Sequence, residues 1–453
     1  MQKILKPVMD PQAEYGNKLV TADEAVKRIK SGDRIQYGEF ASVPINCDAA
    51  LARRKNELND VWISTNTLTF IPQAVISDPS HKHFINNDFF HSMVGRKLSD
   101  AGLTFYVPSA YHEAYKIARE SPGRRNVAMV TVNPMDEYGF FNFGTTTSIN
   151  PLIPELFDLV IVEVNTNMPR VHGQKNYLHI SQIDCIIEGD NPPLMQISKI
   201  DYTETDDKIA HYIMDELGDG ACLQLGIGAM PNRVGSLIAQ SDIKDIGVHT
   251  EMLVDSFVDM YEAGRITNMR KNIDKGKFTF TFALGSDKLY KFVNNNVLCN
   301  AAPSDYTNDP YVIAQNDNVF SVCGCLEVDL FGQVSSESKG SRQISGVGGQ
   351  FDFIYGAFRS NGGKGFCCMH STVRDKDGKL TSRIVPAFAP STAVTVPRYI
   401  TNYVVTEYGL VNLKGKATWQ RAEELINIAH PDFRDELIKQ AEKMKIWRYT
   451  NKQ

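Results

Sequence analysis

The twelve residues GACLQLGIGAMP, Gly220–Pro231, are matched early in the chain by GDRIQYGEFASVP, Gly32–Pro44. Each copy has a glycine, a short run carrying Gln224 or Gln36, a second glycine at Gly226 or Gly38, and a small-residue loop that ends on proline. Further on, VNPMDEYGF and LEVDLFGQV share an Asp-x-aromatic-Gly turn, at Asp136–Gly139 and Asp329–Gly332. The two matches stand in the same order at offsets of 188 and 193 residues. Two weak matches that agree on one offset point to repetition of a whole unit. Two similar α/β halves are therefore expected, meeting near residues 190–201, where GDNPPLMQISKID is rich in proline and polar residues. That boundary sets an N-terminal domain at residues 1–195 and a C-terminal domain at residues 196–453.

The runs between these anchors fit the same architecture. VAMVTV (Val127–Val132), LVIVEV (Leu159–Val164) and VFSVCGCLEV (Val319–Val328) are continuously apolar and β-rich, and they alternate with stretches such as TADEAVKRIKSG and IAHYIMDELGDG. Uninterrupted apolar strands separated by amphipathic helices imply mainly parallel sheets covered on both faces. Thr21 followed by Glu24 has capping-box spacing, Gly32 closes that segment, and Pro431 divides the last stretch into two helices.

A chain of 453 residues has room for two or three cores. Its net charge of −5 gives no general attraction to nucleic acid or to an anionic membrane. The first residues, MQKILKPVMDPQAEYGNK, hold no secretory apolar core, and no stretch reaches membrane-spanning length, so a cytoplasmic enzyme is expected. Eight cysteines without a CxxC are expected to be reduced and buried.

Chemistry concentrates in the second half. At Gly226 and Gly228 the strand CLQLG turns into the helical NRVGSLIAQ, with Pro231 and Asn232 expected to open the helix. Backbone N–H groups at such a turn point toward an anion or a carbonyl oxygen; the alternative is a tight turn for close helix packing. It is no dinucleotide fingerprint, because proline stands at the third glycine position. Glu251 follows the short strand IGVH, so the loop and this carboxylate belong to the carboxyl ends of neighbouring parallel strands, where α/β sheets bind ligands. The first half offers Ser64 or Thr65 at the matching place, so one half carries the carboxylate. No metal is expected: His249-x-Glu251 lacks the downstream PCxxC of zinc deaminases, and His81 and His83 lack companion ligands. SGVGGQFDF, Ser345–Phe353, is read as a glycine turn or bulge before an apolar strand, able to present N–H groups to an oxyanion, and SNGGKGF as a hairpin or a phosphate contact.

Together LQLGIGAMPN, GVHTEMLVDSFVDMYEAG, CLEVDLFGQVSSES, SGVGGQFDF and YVVTEYG resemble the acetyl-CoA hydrolase/transferase family, and within it the 4-hydroxybutyrate and butyryl-CoA:acetate CoA-transferases. The resemblance runs from TADEAVKRIKSGDR to NIAHPDFRDEL. It implies two tandem domains of the NagB/RpiA/CoA-transferase type, with Glu251 as the nucleophile. The implied coenzyme A contacts are Gly226, Ile227, Gly228, Ala229, Met230, Leu326, Gly348, Gly349 and Lys376. Coenzyme A would be a substrate, with no tightly bound cofactor. The partners would be acyl-CoA and short-chain carboxylates, with no nucleic acid or membrane, in a homo-oligomer. Glu407 stands as either a substrate-orienting or a structural carboxylate.

Overall fold

A computed structural model of the chain describes residues 2–120, 125–197, 201–226 and 228–448. It divides into two units: Met1–Ser198 with Leu253–Asp255 and Lys277–Thr307, and Lys199–Met252 with Ser256–Gly276 and Asn308–Gln453. The chain thus leaves the first unit close to the proline-rich segment but returns to it. Lys277–Thr307 belongs there because its backbone bridges to the segment 146–173, pairing Thr146 with Phe282, Ser148 with Pro303 and Gly173 with Ala301.

The first unit is built on a seven-stranded sheet in the order Phe105–Tyr106, Phe84–Asp88, Val61–Thr65, Arg34–Tyr37, Val127–Val132, Leu159–Val164, Cys185–Glu188. Every neighbouring pair is parallel. Val127–Val132 shows why continuous apolar runs suit such strands. Val127 and Met129 join a core with Ile35, Ile63 and Leu51, while Ala128, Val130 and Val132 join another with Phe141, Val160 and Leu178. Successive side chains leave opposite faces, so a strand covered on both sides needs apolar residues throughout.

In the second unit Gly247–Leu253, Cys222–Leu225, Val319–Gly324, Lys364–Cys368 and Tyr403–Thr406 lie side by side in parallel, and Gly409–Asn412 closes the edge antiparallel. The order around the repeated strands is the same in both units. Arg34–Tyr37 sits between Val61–Thr65 and Val127–Val132, just as Cys222–Leu225 sits between Gly247–Leu253 and Val319–Gly324. The register sharpens the comparison. Gln36 faces Ser64 and Leu223 faces Val248, so Gln224 falls level with His249 and the counterpart of Glu251 is Asn66, not Ser64 or Thr65. The count by sequence alone was short because it could not see how far each strand runs past its neighbour.

Local features follow their causes. Thr21 and Glu24 form the capping box, each bonded to the other's backbone, on a helix that ends at Val26. Pro431 opens the last helix, Pro431–Lys443, where its missing N–H costs nothing. The apolar run after Gly349 is not a strand: Gln350–Arg359 is a helix. Asp352, Phe353, Ile354, Gly356 and Ala357 are its buried residues, a helical spacing that the alternation of Phe351, Phe353 and Tyr355 hides. SNGGKGF is correspondingly the helix-to-strand turn before Lys364–Cys368, with Gly362 at φ 73°, not a hairpin.

All eight cysteines are buried and none is in a disulfide. Among the described residues no helix is long and apolar enough to cross a membrane.

Candidate active site

Glu251 lies within the strand Gly247–Leu253 and is the half-buried position in an otherwise buried strand. His249, two residues back, is fully buried, its ring 6.3 Å from that of Phe353. The parallel register pairs Leu223 with Val248, so Gly226, just past the end of its strand, follows Leu223 by the same three residues by which Glu251 follows Val248. Gly226 N–H donates to the Val322 carbonyl at 3.0 Å, and a Cβ on Gly226 would stand 3.9 Å from Cys323 Cα. The nearest atom to such a Cβ is the Val322 carbonyl oxygen, at 3.3 Å.

Two groups fix the carboxylate itself. Asn308 Nδ2 donates to Glu251 Oε2 at 2.7 Å. The same oxygen packs onto the α-carbon of Gly349, where a Cβ would stand 2.0 Å from Oε2 and 2.2 Å from Asn308 Nδ2. A Cβ there would force the ends of both side chains to move. Gly349 is also the N-cap of Gln350–Arg359, without a side-chain cap. The first N–H groups of a helix have no partner within it, and their partial positive charge favours an anion. Gln350 Nε2 ties this helix start to the Gly324 carbonyl at 3.2 Å.

A second uncapped helix start stands at the glycine loop. Gly228, at φ 129°, is the N-cap of Ala229–Gln240, and the first helical bond there runs from Asn232 N–H to the Gly228 carbonyl at 3.2 Å. The helix begins two residues earlier than Pro231 and Asn232 suggest. Ala229 and Met230 therefore sit in the first turn, with N–H groups that no carbonyl of the helix can reach. Both glycine clusters thus become helix N-termini on the edge that carries Glu251.

Cys323 is the other nucleophilic atom in the neighbourhood. Burial pushes its thiol up to about 12, and the negative charge of Glu251 adds to that rise. It stays a protonated thiol at neutral pH, bonded to Gln224 Oε1 at 3.5 Å, a carbonyl oxygen that also accepts from Ser321 Oγ at 2.7 Å.

The sequence-derived positions separate as follows. Gly226, Gly228, Ala229, Met230 and Gly349 share the Glu251 edge, and Gly348 precedes the cap in a left-handed conformation at φ 54°. Ile227 lies outside the described residues. Leu326 is half-buried in the turn after Gly324, its carbonyl accepting from Arg383 Nε at 2.6 Å. Lys376 is exposed in the turn of the hairpin Thr372–Arg374/Leu380–Ser382. Glu407 accepts from Ser371 N–H at 2.8 Å and Ser371 Oγ at 2.6 Å, which gives it a structural task at the base of that hairpin. Asn308 is the residue that sequence reasoning missed. It stands in YTNDP, 57 residues from Glu251, beside an Asp-Pro helix start that marks it only as loop. Among the described residues no cluster of three or more potential metal ligands occurs.

Comparison with known proteins converges on one group. The acetyl-CoA hydrolase/transferase N-terminal domain matches residues 3–211, and the C-terminal domain of the same name matches residues 285–441. The chain is 48% identical to the butyryl-CoA:acetate CoA-transferase of Anaerostipes caccae, over 98% of this chain and all of that one. Among solved structures it is similar to RipA from Yersinia pestis, with a TM-score of 0.89 and 38% identity over 97% of this chain and all of that one. It is also similar to a 4-hydroxybutyrate CoA-transferase from Porphyromonas gingivalis, with a TM-score of 0.77 and 31% identity over 96% and 99% of the two chains.

Proposed function

The chain belongs to the acetyl-CoA hydrolase/transferase family, and from that membership we propose an acyl-CoA:carboxylate CoA-transferase that moves CoA between butyryl-CoA or 4-hydroxybutyryl-CoA and acetate, with Glu251 as nucleophile. The observation that carries the reading is the hold on Glu251: one carboxylate oxygen set on Gly349 and bonded to Asn308, at a strand end flanked by two uncapped helix starts.

Exchange of one thioester for another is nearly balanced in energy, so the acyl energy has to be stored covalently and kept from water. Glu251 attacks the acyl-CoA carbonyl, expels CoA thiolate and becomes an acyl-glutamyl anhydride. The thiolate then attacks the glutamyl carbonyl and expels the free acid, leaving Glu251 as a CoA thioester. Acetate runs the same two steps in reverse and departs as acetyl-CoA. Each addition passes through an oxyanion. N–H groups at the Gly349 and Gly228 helix starts, with the Asn308 amide, are donors suited to it. A hydrolase would use the same residues and pass the glutamyl thioester to water.

Steady-state assays of acetyl-CoA formation from butyryl-CoA and acetate test this. Parallel double-reciprocal lines are expected, with CoA release negligible when acetate is omitted. Glu251→Gln should lower transfer by about 10³-fold or more. Near-normal transfer in that variant overturns the assignment, and acetate-independent CoA release would make the protein a hydrolase.

A further inference from the structure

The second unit carries another charged feature at the opposite edge of its sheet. The turn Pro397–Thr401 precedes the strand Tyr403–Thr406, whose far end lies on the Glu251 side of the parallel sheet. Lys414 follows the antiparallel edge strand, and Arg421 is in the first turns of the helix Thr418–Asn427.

Their head groups meet on one turn. Arg421 Nη1 donates to the Arg398 carbonyl at 2.6 Å, and Lys414 Nζ donates to the next carbonyl, Tyr399, at 2.7 Å. Arg398 rises exposed from the same turn, its guanidinium 5.7 Å from the Phe331 ring. Arg421 packs so closely on Gly332 that a Cβ there would stand 2.9 Å from Nη1, and Lys414 lies 3.9 Å from the Phe358 ring centre. Among the described residues none of the three cations forms an ion pair. The buried carboxylate of Asp329 is within electrostatic range of Arg398 and accepts from the N–H groups of Phe331 and Gln333 and from the Gln333 amide. Lys416 close by is already paired with Glu424. Burial and the charge of Arg421 hold Lys414 below the ordinary lysine range, and burial and Arg398 do the same to Arg421. Two of the three like charges are drawn onto successive carbonyls, and the one acid in electrostatic range, Asp329 beside Arg398, already accepts three protein hydrogen bonds, so the cluster keeps a positive excess that an anion completes.

We propose that Arg398, Lys414 and Arg421 bind a di- or polyphosphate group at the edge of the second unit opposite Glu251. The chemistry is shared by free pyrophosphate and by a nucleoside diphosphate, whose base could stack on Tyr399, which is 72% exposed. The site is independent of the transfer reaction, so transfer and binding are scored separately.

Titration calorimetry of the full chain with inorganic pyrophosphate and, separately, with ADP at matched ionic strength tests the proposal. The comparison protein is the double variant Arg398→Gln/Lys414→Gln, which leaves Arg421 in place to hold the turn. Saturable single-site binding of pyrophosphate is expected, weakened at least about tenfold in the double variant while butyryl-CoA:acetate transfer stays at the wild-type rate. Tighter binding of ADP than of pyrophosphate, lost in the same variant, identifies a nucleotide; equal affinity identifies the phosphate group alone. Absence of saturable binding, or equal affinity in wild type and double variant, overturns the site.

Discussion

In the proposed transfer Glu251 would have to stay aimed and uncrowded while an acyl group joins one of its oxygens and a thiol then takes that oxygen's place on the carboxyl carbon, and its contacts suit both demands. Asn308 fixes one oxygen at 2.7 Å, and Gly349 supplies a floor without a side chain. The glycine at 349 is required by space, since its φ of −99° is open to any residue. Gly349→Ala is therefore expected to keep its helix cap and its fold yet push the carboxylate aside. A displacement of about 1 Å costs on the order of 10²-fold in transfer. Asn308→Ala removes one donor without adding bulk and should cost a smaller factor, roughly tenfold to a hundredfold. Steady-state rates beside thermal midpoints check both: an active Gly349→Ala protein would show that the packing does not position Glu251.

At the scale of elements, buried acids close helix starts and turns of the first unit. Glu163, buried on the strand Leu159–Val164, accepts the N–H groups of Asn46 and Cys47 at the start of the helix Ile45–Arg53. Asp78 does the same for the turn leading into the strand Phe84–Asp88. Burial alone would raise its carboxyl, but the Ser80 hydroxyl and the N–H groups of Phe84 and His83 outweigh it and bring it from 3.8 down to about 2. The folded chain thus binds that proton more weakly than the unfolded chain. The stabilisation is complete above about pH 4 and is lost as pH falls through 2. Asp78→Asn is expected to cost about 1–2 kcal/mol at neutral pH and to flatten the stability profile between pH 4 and 2. Denaturant titrations across that range check it; an unchanged profile would contradict it. Elements were read from sequence where one pattern dominates, as at the Thr21 capping box and the buried run Val127–Val132. They were misread at Gln350–Arg359, where Phe351, Phe353 and Tyr355 alternate like a strand while the residues that bury follow the helix.

Across the whole molecule, one repeated plan carries the carboxylate only once: the register that aligns Gln36 with Gln224 gives Asn66 to the first unit and Glu251 to the second. The repeat, the parallel sheets, the glycine loop and the glutamate were all legible, because each is a short local pattern. Asn308 was not, because only the fold brings an asparagine 57 residues away to the carboxylate. The stretch Lys277–Thr307 was also out of reach, since backbone bridges to residues 146–173 return it to the first unit. A nucleophile held in this way has a direct signature. Incubation with butyryl-CoA alone, followed by borohydride reduction and peptide mass mapping, should find the Glu251 side chain reduced from its thioester, and acetate added before the borohydride should protect it. An unmodified Glu251, or the butyryl group attached at another residue such as Cys323 with CoA released, would contradict the account.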